Sequence, residues 1–498
     1  MPLIGVDAGM TGVKAVAFSE DGRLLAQSYR EYPLHQPRRG WAELDAHEMW
    51  EASVFVIAEA ASKAGGAVRS IAVSSMGEAA VPLGPDGAPL ARAICAFDTR
   101  TAAIMRELEA SIGREKLFKI TGHPPHTSYT INHIVWRMRN EPALVARTSK
   151  FLCVQDYIGF MLSGEAAIGY SLASRTSLFD IRKREWSTEI FDAIGLSPSL
   201  FAAPLEAGIA YGKVRPEIAS RLGLSAETLV VTGGHDQPMC GLGAGATSEG
   251  IADLSLGTVE CIANTHKKPV LSKKVLKHNF PVYNHVIPGY YTSLAYNLNS
   301  GGLLRWYRDN LASEERAQAE RECRSVYDIL FEKMPDATTP VLFMPHLVGT
   351  GTPYLDPLSR GAIVNLDLKT TREELFLAAA QGTVLEMMVN YRAQQACGLA
   401  PTTINAIGGG ARSSKWLQMR ADALGVAINR MNVDEAGCVA AAILGGVASG
   451  VFSDVMQGAL TFAKVEQTFE PRKDRAGQWE ELYGKYAGLY EAAKSFRM

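Results

Sequence analysis

The sequence has little of what marks a nucleic-acid-binding, zinc-binding or disulfide-linked protein. Its 50 basic and 52 acidic side chains leave a formal net charge of −2 over 498 residues, so no overall field attracts nucleic acid or an anionic membrane. The seven cysteines never form a CxxC pair, which argues against a zinc site or a disulfide framework. We expect reduced, mostly buried thiols, and neither nucleic acid nor a membrane as partner.

The sequence also has no pattern typical of a secretion signal or a membrane span. The opening stretch MPLIGVDAGM has no basic segment and no long apolar run, and it reaches an acid at residue 7. The uncharged run at residues 436–453 is dominated by Ala and Gly, which favours a buried helix over a bilayer span. We therefore expect a cytoplasmic protein.

The chain is too long for a single hydrophobic core, and we expect two or more domains. Residues 3–6 and 13–18 read as short strands around a turn of small residues, and a third strand follows. This antiparallel start differs from the strand-then-helix start of a Rossmann unit. A second glycine-containing hairpin around residues 256–258 indicates a duplicated plan of two α/β halves.

Local signals predict several individual elements. Asp45 is expected to cap a helix with Glu48 three residues on, and Thr371 with Glu374 predicts a capping box at a second helix. Strands are predicted at residues 70–75 and 403–407. The second of these strands runs into a glycine-rich turn that opens a further helix.

Three glycine-bearing turns stand out: DAGMTGVK at residues 7–14, SLGT at 255–258 and GGGARS at 408–413. Glycine permits a tight turn and lets backbone N–H groups approach a phosphate. In the first turn, Asp7 can hold a hydrated Mg²⁺ and Lys14 can meet phosphate oxygens. An ordinary hairpin turn or simple strand–helix packing explains each turn alone nearly as well. The chain has no GxxxxGK[ST] P-loop.

Five stretches together resemble the FGGY carbohydrate kinases: GVDAGMTGVKAVAF, GWAELDAHEMW, GGHDQPMCGLGAG, LSLGT and GGGARSSKWLQMRADALGVAI, in this order over nearly the whole chain. The resemblance implies an α/β fold of two actin-like (ribonuclease H-like) domains flanking a catalytic cleft. It also implies an N-terminal domain at residues 1–245, with the sugar site and the catalytic base, and a C-terminal ATP-binding domain at residues 246–498.

The resemblance further implies that the three turns bind ATP and Mg²⁺. Asp7 would lie near the metal and Lys14 near a phosphate, while Met10 stands where the family usually has threonine or serine. The other ATP-binding residues that the resemblance implies are Gly9, Thr11, Gly257, Thr258, Gly409, Gly410, Ala411 and Glu435. Gln418 and Asp422 are candidate supports of the adenosine loop, with helix packing as the alternative.

In the same family the aspartate matching Asp236 is the general base, and phosphoryl transfer does require a base within hydrogen-bond reach of the attacking hydroxyl. The sugar-binding residues implied are Met76, Gly77, Glu78, Asp98, His235 and Asp236 itself. Each has a structural alternative. Asp236 could only cap a helix, Glu78 could pair with a surface arginine, Asp98 could form an ion pair with Arg100, and His235 could be satisfied by backbone.

Two further places depart from the family pattern. His133 stands where a lysine is expected three residues before Trp136, and Thr350 and Gly351 replace an acid and an arginine. Because of these departures, the resemblance does not determine which sugar is the substrate.

We therefore predict an ATP- and Mg²⁺-dependent sugar kinase acting on a ketose such as xylulose. Fuculose, erythritol and glycerol are the alternative substrates, and a catalytically inactive actin-fold sugar sensor is the alternative of a different class. A base at Asp236 beside a polyol-binding Glu78 favours the enzyme. A symmetric homodimer is the default expectation for the assembly.

Overall fold

The structure is a computed structural model that describes residues 1–496. The first half of the chain contains 14 strands, six of which form one large sheet with helices around it. Its strands are β1 (Leu3–Ala8), β2 (Gly12–Phe18), β3 (Leu24–Glu31), β4 (Glu43–Leu44), β5 (Ser70–Ser75), β6 (Ala80–Leu83), β7 (Ala93–Ile94), β8 (Lys150–Cys153), β9 (Ala167–Gly169), β10 (Phe179–Asp180), β11 (Glu185–Trp186), β12 (Ala203–Leu205), β13 (Ala210–Lys213) and β14 (Leu229–His235). Its helices are α1 (Ala46–Ala64), α2 (Ala102–Ile112), α3 (Arg114–Thr121), α4 (Thr130–Asn140), α5 (Pro142–Arg147), α6 (Val154–Ser163), α7 (Tyr170–Arg175), α8 (Thr188–Ile194), α9 (Pro216–Leu222) and α10 (Asp236–Gly243).

The described part of the second half contains nine strands, seven of which form another large sheet. Its strands are β15 (Ile251–Leu256), β16 (Glu260–His266), β17 (Val282–Asn284), β18 (Tyr291–Asn297), β19 (Leu342–Met344), β20 (Ala362–Val364), β21 (Thr403–Ile407), β22 (Ala427–Met431) and β23 (Val465–Phe469). Its helices are α11 (Lys273–Lys277), α12 (Gly301–Leu311), α13 (Ser313–Glu322), α14 (Val326–Lys333), α15 (Arg372–Cys397), α16 (Ser414–Leu424), α17 (Ala436–Ala448), α18 (Val455–Phe462), α19 (Ala476–Tyr486) and α20 (Leu489–Ala493).

The two large sheets share one strand plan. The first has the order β13-β14-β5-β1-β2-β3 and the second the order β17-β18-β16-β15-β21-β22-β23. In each, an antiparallel meander (β1 to β3; β15, β16 and β18) is extended beyond its first strand by two parallel strands. These are β5 and then β14 in the first sheet, and β21 and then β22 in the second. The predicted duplication is therefore confirmed.

The predicted helix starts are confirmed, although only as N-caps. The Asp45 carboxylate accepts from the backbone N–H groups of His47 and Glu48, and the Thr371 hydroxyl accepts from Glu374 N–H. The reciprocal halves of the capping boxes are absent here. The Glu48 side chain hydrogen-bonds His35, and the Glu374 carboxylate accepts from Thr339.

Helices α10 and α17 occupy equivalent places in the two halves, directly after β14 and β22, and they pack against each other. Helix α17 lies on the first sheet, against β1 and β5, although it belongs to the second half of the sequence. A Cβ atom at Gly5 would lie 1.9 Å from the carbonyl oxygen of Cys438, so the run of small residues serves this close approach. The domain boundary at residue 245 stays a prediction.

No helix within residues 1–496 combines the length and apolar character needed to cross a bilayer. The seven cysteines are all free thiols: Cys95, Cys153, Cys261 and Cys438 are buried, Cys240 and Cys397 are half-buried, and Cys323 is exposed.

Candidate active site

Two cavities contain most of the predicted site residues. The larger, about 870 Å³, lies in the second half between the β15–β16 turn, the start of α12 and the turn before α16. The smaller, about 310 Å³, lies between the halves, because Glu78, Arg175 and Asp236 line it from one side and Val259 and Tyr296 from the other. We call them the large cavity and the small cavity.

Two of the three glycine turns meet at the large cavity, where Gly257, Thr258, Gly409 and Gly410 line the wall. Gly408 adopts φ 88°, and a Cβ atom there would lie 2.9 Å from the carbonyl oxygen of Leu256. This close contact of the two turns requires glycine at position 408. Ala411 does not line the cavity, since its side chain is buried and its carbonyl accepts from Arg430 Nε at 2.9 Å.

Arg305 on α12 is a large-cavity residue that sequence reasoning missed. Its guanidinium donates to the Thr258 hydroxyl at 2.9 Å, beside the glycine turn. Arg305 carries no short-range signal in the sequence, because β16, α11, β17 and β18 lie between the glycine turn and α12.

The third turn lies where the halves meet. Asp7 and Lys14 face each other across the β1–β2 hairpin, and Lys14 Nζ lies 2.5 Å from a carboxylate oxygen of Glu435, at the start of α17. Ser74 donates to Asp7 at 2.7 Å. Burial, with a smaller contribution from Glu435, raises the pKa of Asp7. Residues 421 positions apart thus form one charged cluster.

The remaining residues of this turn take different positions. The Gly9 N–H donates to the Gly12 carbonyl at 3.0 Å and closes the turn. Thr11 is exposed at its tip. Met10, which departs from the family pattern, lines the small cavity.

Asp236 is the first residue of α10, directly after β14, and 34% of its side chain is exposed. The N-cap position belongs to His235, so helix capping does not explain Asp236. Partial desolvation by the surrounding protein and the nearby negative charges of Asp7 and Glu78 raise its pKa to about 7. A carboxylate with this pKa can accept a proton efficiently at neutral pH.

His235 links this carboxylate to the other half of the molecule. Its Nε2 lies 3.2 Å from Asp236 Oδ1, and its Nδ1 lies 2.8 Å from the Tyr283 hydroxyl. Burial lowers the pKa of His235 well below its ordinary value, so the ring is neutral. The Asp236 carboxylate accepts its side-chain hydrogen bond from the Gln237 amide at 3.2 Å. A proton on Nε2 is favoured because that nitrogen lies beside the carboxylate, and Nδ1 then accepts from the hydroxyl of Tyr283 on β17. Sequence reasoning did not find Tyr283, since an isolated tyrosine carries no site signal.

Glu78 lines the small cavity together with Met76 and Gly77, and its carboxylate pairs with Arg175 at the end of α7. The pair is buried, in contrast to the surface arginine considered from the sequence. Glu78 has a φ of 71°, which is unfavourable for any residue except glycine. The Thr130 hydroxyl donates to the Glu78 carbonyl at 2.7 Å and helps hold this conformation.

Asp98 lies outside both cavities, in contrast to the sugar contact expected of it. Its carboxylate accepts from Ala42 N–H at 2.6 Å and from the backbone and guanidinium of Arg100 at 2.8–2.9 Å, and its side chain has no exposed surface. All its acceptor positions are used internally. The ion-pair interpretation therefore describes Asp98, and it anchors a loop whose residues Cys95 and Ala96 line the small cavity.

Gln418 and Asp422 also serve packing. Gln418 donates to Asp422 and to the Glu470 carbonyl, both at 2.8 Å, and Asp422 pairs with Arg472 at 2.7 Å. Neither lines the large cavity. They hold α16 to the C-terminal segment.

The other positions that depart from the family pattern, His133, Thr350 and Gly351, lie outside both cavities. His133 is buried, which lowers its pKa to about 3 and leaves it uncharged. Thr350 accepts from Asp356 N–H at 2.9 Å, and a Cβ atom at Gly351 would lie 2.1 Å from the Tyr296 carbonyl oxygen. These residues support the local fold.

Two duplicated α/β halves with a cavity between them define a two-domain kinase fold of the actin type. Comparison with known proteins agrees. The model of the FGGY family of carbohydrate kinases, N-terminal domain, matches residues 2–243, and that of the C-terminal domain matches residues 252–449. The chain belongs to the FGGY family of carbohydrate kinases.

The relatives of this chain are named for different substrates. The chain is 27% identical to a xylulose kinase of Bacillus subtilis (99% of both chains covered) and 27% identical to a gluconokinase of the same organism (90% of this chain and 88% of the relative). The crystal structure of a xyloylose kinase from Brucella ovis matches with a TM-score of 0.89 at 27% identity, covering 100% of both chains.

Proposed function

We propose that the protein transfers the γ-phosphate of ATP to a hydroxyl of a ketose, with xylulose as the first candidate. One observation carries this proposal: the Asp236 carboxylate opens into a cavity lined by both halves, with a pKa of about 7. The name of the Bacillus subtilis xylulose kinase, similar over its whole length, supports the choice of sugar.

ATP would occupy the large cavity. Gly257, Thr258, Gly409 and Gly410 line it, and glycine turns at this range can direct N–H groups at phosphate oxygens. Gly9, Thr11 and Lys14 would receive the terminal phosphate. Glu435 would act through Lys14, with which it pairs, and Ala411 would act only by holding the adenosine loop through its carbonyl.

Asp7 would hold Mg²⁺. The fit is good, since a buried carboxylate whose pKa is raised by burial and by Glu435 gains from a nearby cation, and Mg²⁺ commonly binds through one or two carboxylates plus phosphate oxygens and water. Bound there, Mg²⁺ would neutralise phosphate charge.

The sugar would occupy the small cavity, against Met76, Gly77, Glu78 and His235. Asp236, which accepts a hydrogen bond from Gln237 and lies beside His235, takes the proton of the attacking hydroxyl as its oxygen bonds to phosphorus. Asp98 contributes by positioning the loop at 95–96. Approach of the two halves excludes water, which would otherwise compete as the phosphate acceptor.

The test is Asp236→Asn, which keeps the shape of the side chain but cannot accept the proton. We expect sugar-dependent ADP release to fall by about 10²- to 10⁴-fold, while nucleotide binding measured by calorimetry is unchanged. Asp180→Asn, a buried aspartate outside both cavities, is the control. Turnover of Asp236→Asn within threefold of the parent protein would remove the base assignment.

Fuculose, erythritol and glycerol remain second candidates, and a glycerol kinase of Thermococcus kodakarensis is 28% identical over 99% of this chain. A sugar sensor without catalysis is the alternative of another class. A sugar that stabilises the protein thermally and also drives ADP release supports the enzyme, whereas stabilisation without ADP release supports the sensor. Because the proposed reaction consumes ATP, we place the protein in the cytoplasm, and we propose a homodimer, which light scattering would test.

A further inference from the structure

The small cavity contains few charged groups. Among the described residues that line it, Glu78, Arg175 and Asp236 are the ones with formally charged side chains. The lining histidines His126 and His235 are neutral, because burial lowers the pKa of His126 to about 4 and that of His235 well below its ordinary value. The cavity therefore has two carboxylates and a single cation.

The cation is already neutralised. The Arg175 guanidinium pairs with Glu78, and only 12% and 6% of the two side chains are exposed. Glu78 reaches this partner from a left-handed backbone conformation (φ 71°). Non-glycine residues in such conformations cluster at ligand sites, where the surrounding structure holds them.

Building on the proposed kinase function, we propose that the small cavity selects an uncharged polyol or sugar and that the Glu78–Arg175 pair excludes sugar acids. A substrate carboxylate would enter between Glu78 and Asp236 without a free cation to receive it. Like charges placed together without water are strongly unfavourable. Hydroxyl groups, in contrast, can donate to both carboxylates and accept from the guanidinium.

The experiment compares neutral and acidic sugars of equal length. Binding of xylitol against D-xylonate, and of D-glucitol against D-gluconate, is measured by calorimetry, together with ADP release and with D-xylulose as reference. For the parent protein we expect each acid to bind at least about 100-fold more weakly than its neutral counterpart.

Glu78→Gln keeps the size of the side chain and frees the Arg175 charge. We expect the preference for neutral over acidic sugar to shrink by about 10-fold or more, since a hydrogen bond to a charged group then becomes available to the acid. Glu78→Asp retains the negative charge and should keep the preference. Glu78→Gln combined with Arg175→Gln removes both charges and should not show the gain.

Equal or tighter binding of the acids to the parent protein would overturn the inference, as would the same gain in the double variant. If Glu78→Gln does not fold, binding of neutral and acidic sugars to the parent protein and to the double variant still tests the inference. Binding of neutral sugars without ADP release would reject the kinase proposal and leave this inference standing. Binding of neither class would overturn both.

Discussion

Each half of the molecule buries a glutamate–arginine pair, and the two pairs differ in their surroundings. In the second half, Arg420 Nε and Nη2 donate to the two carboxylate oxygens of Glu260 at 2.8 and 3.0 Å. Neither side chain has any exposed surface, and the guanidinium stacks on Trp416 at 3.9 Å. The Glu78–Arg175 pair of the first half lines a cavity instead.

The difference shows how one duplicated plan supports two tasks. Glu260 follows the Gly257–Thr258 turn on β16, and Arg420 lies on α16 behind the Gly409–Gly410 turn, so their pair fixes the two walls of the large cavity relative to each other. Because this pair is closed to solvent, it has no contact with a ligand and its role is structural. The pair in the first half meets any molecule that enters the small cavity and can therefore discriminate between ligands.

The largest expected effect is on the free energy of unfolding, which should fall more when the Glu260–Arg420 pair is broken than when the Glu78–Arg175 pair is broken. Arg420→Met leaves Glu260 buried and unpaired, and we expect a loss of about 3–5 kcal/mol in the free energy of unfolding. Arg175→Met should cost less, about 1–3 kcal/mol, because the Glu78–Arg175 pair borders the cavity and is not fully enclosed, unlike the Glu260–Arg420 pair. Urea denaturation measures both, with the exposed Arg412→Met as control. Equal losses for the two buried arginines would contradict the comparison.

The next effect concerns pH. As a base, Asp236 acts in its ionised form, so activity is present above its pKa of about 7 and is lost as the pH falls through it. We expect kcat/KM for the sugar to drop about tenfold per pH unit below 7, measured at saturating ATP with folding checked by circular dichroism. A flat profile between pH 5 and pH 8 is the contrary result.

The smallest effect tests the contact between the halves at the small cavity. Tyr283→Phe removes the hydroxyl that donates to His235, and a hydrogen bond of about 1 kcal/mol corresponds to a roughly fivefold lower kcat. KM for ATP should not change. Tyr307→Phe, which removes a hydroxyl that donates to the Arg372 carbonyl in the second half, is the matched control. Equal kcat losses in both variants would point to general destabilisation.

Short-range signals predicted much of the fold. The strands Ser70–Ser75 and Thr403–Ile407 and the caps Asp45 and Thr371 match the structure, because alternation, turn residues and capping depend on neighbours in the chain. The capping boxes failed in part, since Glu48 and Glu374 bind partners from other segments.

Short-range sequence signals predicted less of the candidate site. Asp98 was expected at the sugar because the family resemblance implied it, but its carboxylate turns inward to Ala42 and Arg100. Arg175, which lines the small cavity, and Tyr283, which hydrogen-bonds His235 behind it, were missed, since both lie on segments far from Asp236 in the sequence. Sequence position gives a neighbourhood and does not give the direction of a side chain.

The motifs shared with the FGGY kinases determined the class of protein from the sequence alone. Small residues at short spacing located the glycine turns and indicated the duplicated α/β plan, because turn formation depends on neighbours in the chain. Only the tertiary structure decided that Lys14 meets Glu435, that Arg175 is neutralised by Glu78 and that His235 bridges Asp236 and Tyr283. The physical reason is that charge pairing and burial depend on distances between segments far apart in the chain. Those distances are set when the two halves pack around α10 and α17.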